Sequence, residues 1–261
     1  MAEDVIIRER LGAIERIWLN RPEVENCLND AIYDGLTRAL DELAGDESVG
    51  AIVLTGRGSA FSRSADGEEI GEKYFGARAD YRGFLVRVRE LHTRIESVPR
   101  PVIAAVNGVA SMGGIELALA CDFIVAAESA RLGDAHPGGV GGGGASQTLR
   151  AALGSRMARW LLYTGELLPA PRALEVGLVQ QVFPDEGFQA SVMALAERIV
   201  SRRLGDSLAR IKALTVPREP TLADRELEIG HSIEHYFDPR TQDGLERSLA
   251  TDREWSERSS S

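Results

Sequence analysis

Two cysteines in 261 residues, Cys27 and Cys121, are too few for a disulfide framework, and no CxxC or Cys/His cluster offers metal-ligand spacing. A reducing cytoplasm is the expected compartment, and no metal is expected. Basic residues are also in short supply: 30 Lys and Arg against 40 Asp and Glu leave a net charge of -10. They are scattered and form no basic face, which argues against nucleic acid as a partner. The first residues, MAEDVIIRERLG, carry charge within four positions and lack the long apolar segment of a signal peptide. One apolar run, Pro101 to Cys121, has nearly the length of a membrane span. Asn107, the Gly113-Gly114 pair and Glu116 interrupt it, so no membrane association is expected.

Several catalytic signatures are missing as well. No GxxxxGK[ST] occurs, which argues against a P-loop, and no GxSxG occurs, which argues against a serine-hydrolase elbow. Gly139 to Gly144, GVGGGG, fits the GxGxxG spacing, but His136-Pro137-Gly138 precedes it and breaks the strand that a dinucleotide site requires. The tract reads instead as a loop needing close backbone approach. Ser62, Ser64 and Ser111 read as small residues in turns.

What is present is an α/β pattern. Val5 to Leu19 alternates apolar and charged residues around Leu11-Gly12, predicting a hairpin. Asn29 to Ala44 predicts a helix with Asn29 or Asp30 as N-cap and Ile32, Leu36, Ala39, Leu40 and Leu43 on its buried face. Gly50 to Thr55 reads as a buried strand, and residues 56 to 82 as a long loop or partly ordered helix. A helix from Tyr81 to Ser97 stops at Pro99 and Pro101. Then come a strand at Val102 to Val106, a buried helix at Gly113 to Cys121 and a strand at Phe123 to Ala127. Beyond the glycine-rich stretch Gly133 to Gly144, helices are expected at Ala145 to Leu153, Arg156 to Thr164 and Pro171 to Val176. A strand at Leu178 to Phe183 and a helix from Gly187 to Arg202 close a core domain of residues 1–202. Residues 203–261 read as a helical C-terminal module, broken at Pro217, Pro220 and Pro239, with a disordered SerSerSer tail.

Glu116 is the one side chain charged at neutral pH between Arg100 and Asp122. An ionised carboxylate in apolar surroundings must shift its pKa or find hydrogen-bond partners. It has a structural reading, as a buried carboxylate paired with arginine or capped by amides, and a chemical one. The chemical reading draws on Gly113 and Gly114 at a strand-to-helix turn, where free N–H groups at a helix N-terminus can hold an oxyanion. Glu116 lies in that first turn and can reach the same chamber. His136, between Ala135 and Pro137, is by itself an ordinary loop histidine.

The segment AAVNGVASMGGIELALACD, residues 104 to 122, closely resembles the signature of the crotonase (enoyl-CoA hydratase/isomerase) superfamily. The resemblance extends to LNRPEVENCLN at 19 to 29, AIVLTGRGSAFSRSADGEEI at 51 to 70, SARLGDAHPGGVGGGGA at 129 to 145 and LLYTGELLPAPRALEVGLVQQVFP at 161 to 184. It implies a crotonase-like spiral of repeated ββα units with a helical C-terminal region, assembled as a homotrimer or dimer of trimers. It also implies an acyl-CoA substrate, with coenzyme A entering as part of that substrate and no separate cofactor. By motif position the backbone amides of Ala65 and Gly113 form the oxyanion hole that stabilises an enolate, and Ser64, Asp66, Met112 and Gly114 are substrate-binding neighbours. Glu116 occupies the position of the first of two catalytic glutamates. The second falls on His136, because the usual FGxPE becomes Leu132-Gly133-Asp134-Ala135-His136. Ser64 and Met112 stand where the family generally has glycine, and the glycine-rich loop after His136 is about two residues shorter than usual.

Three readings follow from that resemblance, with double-bond isomerisation or another CoA reaction open beside them. In hydration of a 2-enoyl-CoA, Glu116 activates water and His136 exchanges the α-proton, a task suited to a group titrating near neutrality. Carbon-carbon hydrolysis of a β-diketone would use His136 differently, and a non-catalytic acyl-CoA-binding member would use neither residue chemically.

Overall fold

The hairpin forms as the alternation predicts: in a computed structural model, β1 (Ile6–Leu11) and β2 (Ile14–Leu19) pair antiparallel with Leu11 opposite Ile14. The structure describes residues 4–203, 206–215 and 222–239, the side chains of 222–225 and 227–228 excepted. Helix α1 (Asp30–Ala44) starts where Asn29 Oδ1 accepts the Ile32 N–H at 3.1 Å, and it buries the expected stripe from Ile32 to Leu43. Strand β3 (Ala51–Gly56) is buried along its whole length.

Residues 56 to 82 are more ordered than their composition suggests. They contain β4 (Ala60–Ser62), α2 (Gly67–Tyr74) and the first residues of α3 (Arg78–Ser97). A three-residue strand is too short to show a period, and α2 buries only Ile70, so neither leaves a periodic trace. The start of α2 is set instead by Asp66, whose side chain accepts the Glu69 N–H at 3.1 Å.

The chain then alternates between two sheets. Strands β5 (Val102–Val106) and β7 (Phe123–Ala127) extend the large sheet, while β6 (Val109–Ser111) and β8 (Arg131–Gly133) extend the small one. Helix α4 (Gly113–Ala120) follows β6, and α5 (Ala145–Thr164) follows β8. Gly154 breaks α5 with φ +74° and ψ 160°, which gives the two expected helices on either side. Strand β9 (Leu168–Pro169), α6 (Ala170–Glu175), β10 (Gln181–Phe183) and α7 (Phe188–Ser201) complete the circuit. Strand β10 begins later than Leu178, because the N–H groups of Leu178 and Val179 turn back to the Ala173 carbonyl. The large sheet has the order β1-β2-β3-β5-β7-β10, parallel from β2 onward, and the small sheet has the order β4-β6-β8-β9. From β3 to α5 each turn thus gives one strand to each sheet and then helix, a spiral of ββα units, whereas β1 and β2 both lie in the large sheet. Strands β3, β5 and β7 are covered on both faces, which is why they read as unbroken apolar runs.

Helices α8 (Ser207–Thr215) and α9 (Leu222–Tyr236) lie beyond the expected boundary at 202. The buried Lys212 ties α8 down, donating to the Ile95 carbonyl at 2.8 Å and pairing with Asp122 at 2.9 Å. Helix α9 meets α3 through Tyr81 and Ser232, whose hydroxyls lie 2.9 Å apart. The expected helical tract up to Glu257 and the serine tail lie, from residue 240, outside the described residues. Among the described residues no helix is long and apolar enough to cross a membrane.

Candidate active site

Three loops leave the carboxyl ends of adjacent strands in the small sheet, the usual place for ligands in open parallel sheets. Pairing of Ser62 with Ala110 sets the Ser64-Ala65-Asp66 turn beside the start of α4. Pairing of Ser111 with Gly133 sets that same helix start beside Asp134 and His136. Register alone therefore brings residues from three distant motifs into one chamber.

Glu116 is 6 % exposed, and its Oε1 accepts the Gly143 N–H at 2.9 Å. Gly143 in turn is held from behind, its carbonyl accepting from Arg89 Nη1 at 3.2 Å and His92 Nδ1 at 3.0 Å. Burial and the neighbouring Arg89 charge outweigh that hydrogen bond and push His92 down to about 3, so its ring is neutral and donates from Nδ1. The glycine tract packs directly on the carboxylate: a Cβ on Gly143 would lie 2.2 Å from Glu116 Oε2, and one on Gly141 would lie 2.7 Å from the His136 ring. The tract is a wall of the site, as its composition suggests.

His136 sits in the loop after β8, and its ring Nδ1 hydrogen-bonds with Asp134 Oδ1. The same oxygen accepts the His136 backbone N–H at 3.1 Å. Burial works against charge on this ring. The Asp134 carboxylate, helped by Glu116, outweighs it and pushes the ring up to about 9. Burial likewise works against ionised Asp134, and the facing imidazolium overcomes it, holding the carboxyl below the ordinary range. Glu116, Asp134 and His136 offer donor atoms within 4.8 Å of one another, the one such grouping among the described residues. Nδ1 of His136 is engaged by Asp134 within this group.

Ala65 and Gly113 are neighbours, since a Cβ on Gly113 would lie 3.1 Å from the Ala65 nitrogen. Both have N–H groups turned from regular pairing. Leu28 donates to the Ser64 carbonyl and accepts from the Asp66 N–H, each at 2.8 Å, so the intervening Ala65 N–H points the other way. Gly113 opens α4 and has no carbonyl one turn earlier. Around them, the Ser64 hydroxyl donates to the Ala65 carbonyl at 2.7 Å, and Asp66 pairs with Arg21 at 2.8 Å besides capping α2. Met112 sits before the helix at φ 46° and ψ -123°. Gly114 has no room for a side chain, because a Cβ there would lie 1.8 Å from the Ser62 carbonyl oxygen.

Sequence reasoning missed Asp134, Arg89, His92 and two phenols, Tyr33 and Tyr81. Burial, with the Glu116 carboxylate nearby, raises both phenols, Tyr81 to about 12, so both stay protonated. Only Asp134 left a signal, an acid two residues before a histidine at a strand end.

Fold and site together define a class: a two-sheet α/β spiral in which a buried carboxylate and an imidazole lie close together in one chamber with two neighbouring backbone amides. The chain belongs to the enoyl-CoA hydratase/isomerase family, whose sequence model matches residues 9–242. A protein of Rhizobium meliloti named a probable enoyl-CoA hydratase is 36% identical over 228 residues, covering 86% of each chain. The mitochondrial enoyl-CoA hydratase of Pongo abelii is 35% identical over 228 residues, 85% of this chain and 76% of that one. Among solved structures, an enoyl-CoA hydratase/isomerase from Mycobacterium paratuberculosis superposes with a TM-score of 0.81 at 30% identity, covering 92% of this chain and 96% of that chain.

Proposed function

We propose that the protein adds water across the double bond of a 2-enoyl-CoA. The observation that carries this reading is Glu116 and His136 meeting within one cluster of donor atoms, next to the adjacent amides of Ala65 and Gly113. The thioester oxygen accepts from those two N–H groups, which stabilise it as it becomes an enolate oxygen. Glu116 takes a proton from the attacking water, and His136 exchanges the proton at the α-carbon. Coenzyme A belongs to the substrate, and Ser64, Asp66, Met112 and Gly114 shape its approach.

Purified protein mixed with crotonyl-CoA and longer 2-enoyl-CoAs is expected to consume the enoyl absorbance. Glu116→Gln keeps an oxygen for the Gly143 N–H but cannot take the proton, so kcat falls by about 100- to 10,000-fold with unchanged circular dichroism. No turnover by the wild type over the whole chain-length panel overturns the reading.

Homotrimers, or dimers of trimers, are the assembly we propose. Support comes from large apolar side chains left in solvent on α5 and α8, notably Tyr163 at 82 % and Leu214 at 85 % exposure. Light scattering reads the copy number directly. A cytoplasmic setting is supported by the two free thiols, Cys27 and Cys121.

A further inference from the structure

Asp134 has no part in the hydration scheme above, yet it is wholly buried and one of its oxygens serves His136 twice. Its other oxygen, Oδ2, is buried with no hydrogen-bond partner. A carboxylate in that condition stays ionised only if a positive charge faces it. The ring of His136 is the group in contact. The backbone bond from the His136 N–H fixes the loop against the same oxygen, and the ring's own bond engages Nδ1 with Asp134. Proton exchange with a substrate then falls to Nε2.

We infer that Asp134 is a positioning residue which keeps His136 as an imidazolium, so that Nε2–H is the acid that protonates the α-carbon. The inference rests on the hydration reading and gives each proton a place. The water oxygen bonds to the β-carbon while its proton passes to Glu116, and the π electrons move into the thioester as an enolate. The Nε2–H bond then breaks, a C–H bond forms at the α-carbon, and neutral imidazole is left beside protonated Glu116. Return of one proton from Glu116 to Nε2 restores both groups.

The surroundings agree with a cationic ring. Asp134 faces it from its own loop and Glu116 from α4. From α9, His235 directs Nε2 to the Pro137 carbonyl at 2.9 Å. Arg89 and His92, on α3, are turned to the Gly143 carbonyl.

Asp134→Asn is the discriminating variant, because the amide oxygen still accepts from Nδ1 while the charge is gone. Two readouts are used: kcat/KM against pH on crotonyl-CoA, and a nuclear magnetic resonance titration of the His136 ring, which needs no turnover. In the wild type both report an alkaline transition near 9. In the variant the transition falls to the ordinary imidazole value of about 6.5, so kcat/KM is within about twofold at pH 6 and about 30-fold lower at pH 8. Asp134→Glu regains part of the alkaline limb. A loss of equal size at every pH, or a wild-type ring titrating near 6.5, overturns the inference; the ring titration decides this even where the variant fails to fold. Absence of turnover in the wild type with the ring titrating near 9 overturns the hydration chemistry and leaves the dyad standing.

Discussion

Met112 shows what a single residue costs when it stands where a backbone calls for glycine. Its φ of 46° and ψ of -123° match the first central position of a type II′ turn, a region that an L side chain enters at about 1–3 kcal/mol. The turn is needed because it swings the chain from β6 into α4 and so places Gly113 and Glu116. Met112→Gly relieves that strain but adds freedom to the unfolded chain, a loss of about 0.5–1 kcal/mol. A net gain of about 1 kcal/mol is expected in urea unfolding, with an unchanged m-value; a loss of stability would mean that methionine packing outweighs the strain. This substitution, like Glu116 in its apolar run, was visible in the sequence. Ala65 was reachable only through resemblance, since nothing in SRSADG says which N–H a neighbouring strand will leave unused. Asp134 left only the trace of an acid two residues before a histidine, because the Ser111–Gly133 register, not the local pairing, is what brings the two near Glu116.

At the scale of elements, long ones were legible and short ones were not. The hairpin, α1, β5 and β7 each carry enough residues to display a period or an unbroken apolar run. Strands β4, β6 and β8 have three residues apiece, and their identity comes from pairing with one another. Yet those strands, not the long ones, aim the site. The glycine tract is an element of this second kind, defined by what presses on it: Glu116 on one side, Arg89 and His92 on the other, and Leu85 with Ser232 against Gly142. Gly143→Ala tests that packing. The added Cβ would lie 2.2 Å from Glu116 Oε2, so the carboxylate must shift by about an ångström, a displacement that can cost about 100-fold in rate. We expect kcat on a 2-enoyl-CoA to fall by that order while the far-ultraviolet circular dichroism stays the same. A variant with wild-type kcat would show that the loop yields and that Glu116 is not held by it.

For the whole molecule, two histidines beside the glycine tract, the buried His92 and the half-buried His136, set opposite ends of the pH range of stability. His92 titrates near 3 when folded and near 6.5 when unfolded, so below pH 6.5 the unfolded chain takes up a proton that the folded chain refuses. Stability is lost as pH falls from about 6.5 toward 3. His136 titrates near 9 when folded, so between about 6.5 and 9 the folded chain holds a proton that the unfolded chain has released. The stabilisation from its pairing with Asp134 is complete below 6.5 and is lost as pH rises through 9. Thermal midpoints at constant ionic strength should therefore peak near pH 6.5 and decline on both sides. The two limbs have separate causes and separate variants: His92→Gln, which keeps a donor for the Gly143 carbonyl, flattens the acid limb, and Asp134→Asn flattens the alkaline limb. The acid test is cleanest above pH 4.5, before the lowered carboxylates such as Asp30 begin to protonate. Parallel curves for the wild type and Asp134→Asn between pH 6.5 and 9 would mean that the His136 proton is not held by Asp134 in the folded state, and the cationic acid assigned to the α-carbon would lose its source.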